Sequence, residues 1–317
     1  MTPSMPRLLM VDPLTLLGRE ILLLLERDEV HIAHISYRHT DDDPEHQIAE
    51  LAGDAALVPP LEGPDAFTDC DAVLVAAETD SPRLDHVVEF LRSNPGTPVV
   101  VVGRPGRLRS LTTPAAGPAA DWPSLHVRVA HPALVTTSVL VAALTDLEPI
   151  GGGVAAVDPV SFLGRDAVER LAHQASRRLS GTPVEEEIEG GILAFNLIAT
   201  DDADLDEDAA LLLPDLDLAV TRSMSGHFHG HVAHIALGFA RSLDELEVRD
   251  ALLSDARLVH SEPPLRLDGT PDSDEVVILP PRLSPERRHL SVTAMVDGLR
   301  VGGARTALDI LASLVGA

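Results

Sequence analysis

The stretch His227-Phe228-His229-Gly230-His231-Val232-Ala233-His234 gathers four imidazoles into eight residues. Imidazole is the commonest side-chain ligand for transition metals and a proton carrier near neutral pH. On a strand, residues two apart share a face, so His227, His229 and His231 are placed to converge. No carboxylate at a matching spacing completes a ligand set, so no metal site is expected. Cys70 is the single cysteine. It excludes an internal disulfide and a paired-cysteine zinc site. It precedes an apolar run, so it is expected at the amino-terminal edge of a sheet as a buried structural thiol. Thr136 and Thr137 carry hydroxyls, but an alcohol is a weak nucleophile without a placed base. They read as polar residues near a helix start.

The elements that must position these groups follow from apolar periodicity. Arg7–Val11, Val30–Ser36, Ala72–Ala77 and Pro98–Val102 read as strands. Leu16–Leu25 and Leu84–Leu91 read as helices, with Leu17, Ile21, Leu24 and Leu25 at helical spacing. Strand and helix in alternation imply a parallel sheet, with ligands beyond the carboxyl ends of its strands. The second half has a different texture. Val154–Val160, Ile192–Ile198, Val232–Phe239, Glu275–Leu279 and Leu290–Asp297 read as strands. Asp166–Leu179 and Gly302–Val315 read as helices. Asp201–Asp208 reads as a solvated acidic loop, and Pro263–Asp274 as a Pro/Asp/Gly-rich loop.

Composition narrows the function classes. The chain has 317 residues, enough for two domains and a core that needs no disulfide or metal. Its 50 acidic residues outnumber 24 basic ones, all arginine, for a net charge of −26. Such a surface repels phosphate backbones and anionic membranes, so no nucleic-acid or membrane partner is expected. No apolar run reaches the length of a bilayer span, and no cleavable leader pattern is evident. The expected location is cytoplasmic.

Five blocks, in order, resemble the aspartate-semialdehyde dehydrogenase family. Leu17-Gly18-Arg19-Glu20-Ile21-Leu22 is similar to the V-G-R-E-x-L that closes that family's nucleotide loop. Ser36-Tyr37-Arg38 is similar to its S-x-R after the second strand. Leu193-Ala194-Phe195-Asn196-Leu197-Ile198 is similar to its I-A-F-N-x-I-P. Gly230-His231 matches the G-H of its catalytic histidine. Asp297-Gly298-Leu299-Arg300-Val301-Gly302-Gly303-Ala304 is similar to its D-N-L-x-K-G-A-A. The resemblance implies an α/β Rossmann-like N-terminal domain plus an α+β C-terminal dimerisation domain with a mainly antiparallel sheet. Residues 1–130 would form the first domain, with the helix 302–317 packing back on it. Residues 131–301 would form the second, former catalytic domain, and a homodimer would form through its sheet.

In the family, a cysteine thiolate carries the acyl group and NADPH supplies hydride. Aligned on the motif N-P-N-C-S-T, His131-Pro132-Ala133-Leu134-Val135-Thr136 places Leu134 at the nucleophile position. An alkyl side chain can neither attack nor leave. Asp158 falls at the glutamine position. Met224 falls at the position of the substrate-binding arginine, unless Arg222 has slipped into that role. Only His231 of the four is retained. The nucleotide loop aligns with Asp12-Pro13-Leu14-Thr15-Leu16-Leu17-Gly18 and keeps Gly18 alone. Asp12 would put a negative charge beside a pyrophosphate, and Pro13 removes an N–H. Gly18, Ser36 and Arg38 are the remaining cofactor-binding candidates. Arg38 suits a 2′-phosphate, and equally a plain surface arginine.

These readings imply a catalytically degenerate, Usg-type homologue, a homodimer with a regulatory or protein-interaction role and no cofactor. One alternative is an NADP-dependent semialdehyde dehydrogenase or other small-molecule enzyme with a displaced catalytic group. Another is a small-molecule binding module that uses the old cleft.

Overall fold

The computed structural model describes residues 6–28, 32–41, 47–51, 54–119, 121–200, 203–264, 266 and 273–316. The chain divides into two compact units, Met1–Val129 with Gly303–Ala317, and Ala130–Gly302.

In the first unit the chain order is β1 (Arg7–Val11), α1 (Leu16–Arg27), β2 (His34–Arg38), β3 (Gln47–Leu51), β4 (Asp54–Val58), β5 (Ala72–Ala77), α2 (Asp85–Ser93), β6 (Val99–Gly103), the single turn α3 (Gly106–Arg109), β7 (Thr113–Ala115) and β8 (His126–Val129). Six strands make one parallel sheet in the order β2-β1-β5-β6-β8-β7. β5 is buried at every position, which is why its sequence is an unbroken apolar run rather than an alternation. Met10, Leu74 and Val100 pack toward Ile21 and Leu24 of α1 and toward Ala307, Ile310 and Leu311 of the closing helix. Leu9, Val73 and Val101 pack on the other face with Val87 and Leu91 of α2. β3 and β4 form a separate antiparallel hairpin.

The second unit runs α4 (Pro132–Ala143), β9 (Pro149–Asp158), α5 (Arg165–Leu179), β10 (Leu197–Thr200), α6 (Ala203–Leu212), β11 (Asp217–Ser225), β12 (His231–Phe239), α7 (Glu245–Ser254), β13 (Leu258–His260), β14 (Val276–Ile278), β15 (Arg282–Leu283) and β16 (His289–Val296). Its sheet has the order β10-β11-β9-β12-β16-β14-β13, with β15 on β16. The β9–β11 and β13–β14 pairs are parallel and the others antiparallel. Gly152 serves the pairing of β9 with β12, because a Cβ there would lie 1.9 Å from the Ala236 carbonyl oxygen. On one face, cross-strand register aligns Thr221, Ala155, His234 and Thr293 in a row. Ala219, Gly153, Ala236 and Ser291 form the next row. These residues are exposed or half-buried. On the opposite face Val154, Ala156 and Asp158 are buried.

Several expectations shift. Asp201–Asp208 is not a loop from residue 203 onward, because α6 begins there. Asp204 and Asp206 lie in its first turn, where acidic groups suit the helix dipole. Leu205 and Ala209 face inward. Ile192–Ile198 is a strand only from Leu197. Before it, the Leu193 and Ala194 N–H groups both donate to Gln174 Oε1, and Phe195 has φ 62°, so the chain turns. The strand expected over Val154–Val160 runs from Pro149 and ends at Asp158. The second strand is displaced to His34–Arg38; Val30 and His31 lie outside the described residues. So do 201–202 and most of Pro263–Asp274.

Candidate functional site

The second unit brings a buried polar cluster together from four segments. Asp158 ends β9 and is fully buried. His131 precedes α4, Arg222 lies on β11, and His231 opens β12. His131 Nδ1 accepts from the Ala133 N–H at 3.1 Å, capping the helix. That bond leaves the ring proton on Nε2, which donates to Asp158 Oδ2 at 3.0 Å. Arg222 Nε donates to the same oxygen at 2.5 Å. Arg222 Nη2 lies 3.1 Å from Met224 Sδ. Phe162 closes the cluster, edge-on to His131 and to His231 at centroid distances of 4.7 and 5.1 Å.

His231 is packed rather than bonded. Its Nε2 stands 3.7 Å from Asp158 Oδ1, beyond hydrogen-bond reach. Neither ring nitrogen nor Asp158 Oδ1 has a hydrogen-bond partner. A Cβ on residue 298 would fall 2.0 Å from His231 Nδ1, so Gly298 makes room for the ring. Burial pushes the His231 pKa down to about 3, against the attraction of Asp158. The imidazole is therefore neutral near pH 7. For Asp158, burial opposes ionisation, but its contacts with His131 and Arg222 outweigh it and hold the carboxyl well below the usual range. Arg222 brings a permanent positive charge to Asp158.

The histidine run does not converge as its alternation suggested. β12 starts only at His231; His229 is exposed, and His227 Nε2 bonds the Gly230 carbonyl at 2.7 Å. A carboxylate does join an imidazole pair, but from distant segments: His131, Asp158 and His231 offer ligand atoms within 4.8 Å of one another. A metal held by all three would compete with the hydrogen bonds already made. The lone pair of His131 Nδ1 is already used by Ala133, Nε2 carries the proton, and Arg222 occupies Asp158 Oδ2. Coordination would strand a buried N–H and a buried guanidinium, at several kcal/mol in total.

The cluster contains no nucleophile. Leu134 lies in the first turn of α4 and is fully buried. The Thr136 and Thr137 hydroxyls donate back to the Pro132 and Ala133 carbonyls at 2.8 and 2.7 Å. Cys70 belongs to the first unit, where its thiol contacts the Phe67 carbonyl and burial raises its pKa. Met224 is buried among Val160, Leu171 and Leu193. Arg222 meets Asp158 through Nε and Met224 through Nη2. In the sequence, His131 was only the first residue of the aligned nucleophile stretch, and Arg222 only the alternative to Met224. Phe162 was missed, and its one signal was its place between two predicted elements.

In the first unit, the carboxyl end of the sheet is where a dinucleotide would lie. Thr15 caps α1 by accepting from the Gly18 N–H at 3.0 Å. The Leu16 N–H donates to a carboxylate oxygen of Glu78. Gly18 is needed for close packing, its absent Cβ lying 2.3 Å from the Asp12 carbonyl oxygen. Asp12 has φ 60°, and its carboxyl oxygens accept from the Thr40 N–H and hydroxyl at 2.6 and 2.7 Å. Burial raises its pKa to about 7. Ser36 Oγ is 3.5 Å from the Leu8 carbonyl, and Arg38 Nη1 donates to the Tyr37 carbonyl at 2.7 Å. A parallel-sheet domain of this kind is the general setting for NAD(P)-type cofactors. A pyrophosphate does not fit here, because the first-turn donors Leu16 and Gly18 already bond this chain's own oxygens.

No family model matches the sequence. A USG-1 protein homolog from Azotobacter vinelandii is 33% identical over 130 residues, covering 36% of this chain and 39% of that protein. The match thus spans well under half the length of that relative. Solved structures match far more of the chain. Aspartate semialdehyde dehydrogenase II complexed with ASA from Vibrio cholerae aligns with a TM-score of 0.86 over 99% of both chains, at 16% identity. A probable aspartate-semialdehyde dehydrogenase from Pseudomonas aeruginosa aligns at 0.84 over 99% of this chain and 98% of that one, at 20% identity. The chain therefore has, along nearly its whole length, the two-domain fold of the aspartate-semialdehyde dehydrogenases.

Proposed function

We propose that this chain is a catalytically degenerate member of the aspartate-semialdehyde dehydrogenase family, of the USG-1 type, with a regulatory or protein-interaction role. One observation carries the reading: the position aligned with the family nucleophile is Leu134, a buried alkyl side chain. Asp158 Oδ2 accepts from both His131 and Arg222 in a buried cluster. His231, the retained histidine, has no thiol to serve. Asp158 and Met224 stand where the glutamine and arginine would be, so substrate anchoring is lost with the nucleophile. The protein works without a cofactor; NADP is the one its residual Arg38 would suit.

It acts as a homodimer in the cytoplasm. The outer face of the second unit's sheet supports the dimer, since its two aligned rows of Ala, Gly, Ser, Thr and His234 carry no carboxylate or guanidinium. Small uncharged side chains let two sheets approach to about 10 Å. Among the described residues, no helix is long and apolar enough to cross a membrane.

The direct test is intact-mass spectrometry after incubation with aspartate semialdehyde, NADP and phosphate. An unmodified mass is expected, and a stoichiometric acyl adduct would refute the proposal.

A further inference from the structure

Glu78 and Asp80 follow β5 directly, at the carboxyl end of the parallel sheet. Each places a carboxylate on the backbone N–H of a helix start. Glu78 accepts from Leu16 N–H, the first residue of α1, and Asp80 Oδ1 accepts from Arg107 N–H in α3 at 3.2 Å. The segment before them is braced on both sides. Thr15 Oγ1 lies 2.8 Å from the Ala76 carbonyl, and the Arg104 N–H donates to the Ala77 carbonyl at 3.3 Å. Gly103 allows that approach, for a Cβ there would lie 2.1 Å from the Ala77 oxygen. Glu78 is thus delivered to the α1 terminus by a fixed strand end.

The N-terminus of a twelve-residue helix carries a partial positive charge and orphan N–H donors. In an open parallel sheet that terminus is where a nucleotide pyrophosphate is held. We propose that Glu78 is an internal stand-in for that pyrophosphate. The first unit is self-liganded: its own carboxylate completes the helix terminus that a dinucleotide completes elsewhere. The unit is stable without nucleotide, and an external anion can bind only by displacing Glu78. The inference shares with the proposed function the reading that no nucleotide is held. It does not depend on the fate of the catalytic cluster.

The test is thermal unfolding of the full chain as wild type, Glu78→Ala and Glu78→Gln. Each is measured in chloride and in millimolar pyrophosphate at matched ionic strength. Glu78→Ala is expected to melt about 2–6 °C lower in chloride, the scale of a lost cap. Glu78→Gln, which keeps an acceptor but no charge, should fall between the two and serves if the alanine variant does not fold. Pyrophosphate should raise the melting temperature of the variants and leave wild type unmoved. Equal pyrophosphate shifts in all three proteins would overturn the proposal. So would an unchanged melting temperature in Glu78→Ala, or a lowered one that pyrophosphate does not restore. No step of the test involves turnover, so its failure is distinct from failure of the non-catalytic reading.

Discussion

Arg222 Nε lies 2.5 Å from Asp158 Oδ2, joining residues 64 apart in sequence on the neighbouring strands β11 and β9. Both are buried. A buried carboxylate needs a buried cation, and this pair supplies each with the other. The site therefore holds a closed ion pair.

Removing one partner of that pair should cost far more than removing both. Asp158→Ala leaves Arg222 buried without this carboxylate, and a loss of about 3–5 kcal/mol is expected. Asp158→Ala combined with Arg222→Met should lose less than the single variant. Urea unfolding of the two variants checks this, and additive losses would show that the pair is not coupled.

Gly298 and His231 should be coupled in the same way. Gly298→Ala drives a Cβ into the imidazole and should cost about 1–3 kcal/mol. In a His231→Ala background the same change should cost much less. A double-mutant cycle by chemical denaturation measures the difference.

The Asp12 carboxyl gives a pH signature of defined sign. Its pKa in the fold is about 7, above the ordinary value near 3.8. Between those values the folded state holds a proton that the unfolded state has lost. The contribution of Asp12 is therefore full below about pH 4 and is lost as pH rises through 7. His231, with its pKa lowered to about 3, works in the opposite sense over pH 3 to 6.5. The difference between wild type and Asp12→Asn isolates the first effect. The variant should gain about 2–4 kcal/mol on wild type from pH 4 to pH 8. Parallel stability curves would contradict it.

The sheet face proposed for dimerisation can be broken by charge. Ala155 sits mid-row between Thr221 and His234. Ala155→Glu should convert a micromolar dimer to a monomer in light scattering while leaving the far-ultraviolet circular dichroism unchanged. A wild-type monomer in that range would remove the basis for the interface.

Much of the fold could be read from residues because its signals were local. Residues 8–11 and Ala72–Ala77 are apolar runs buried on both faces, and α1 shows its stripe in Ile21, Leu24 and Leu25. α6 escaped because a run of acids looks solvated, although its first turn favours them and Leu205 and Ala209 anchor it. The strand expected from Ile192 failed because Gln174, on another element, captures two backbone donors. The sequence reading of degeneracy rests on Leu134, since an alkyl side chain can form no thiolate. The cluster itself was not visible, because His131, Asp158, Arg222 and His231 meet only through sheet register. Glu78 carried no sequence signal, since its role depends on the strand end that aims it.

The central claim is that the chain performs no semialdehyde dehydrogenase chemistry and that one residue does not restore it. Covalent attack and substrate anchoring act as a unit, and the proposed reading removes both. The most direct measurement is phosphate-dependent NADP reduction with aspartate semialdehyde, for wild type and for Leu134→Cys. Both proteins should stay at the no-enzyme background, with the variant gaining at most a reactive thiol. Wild-type turnover near ~1 per second, the low end of ordinary enzymes, would contradict the account and turn attention to Thr136, Thr137 or Cys70 as the nucleophile.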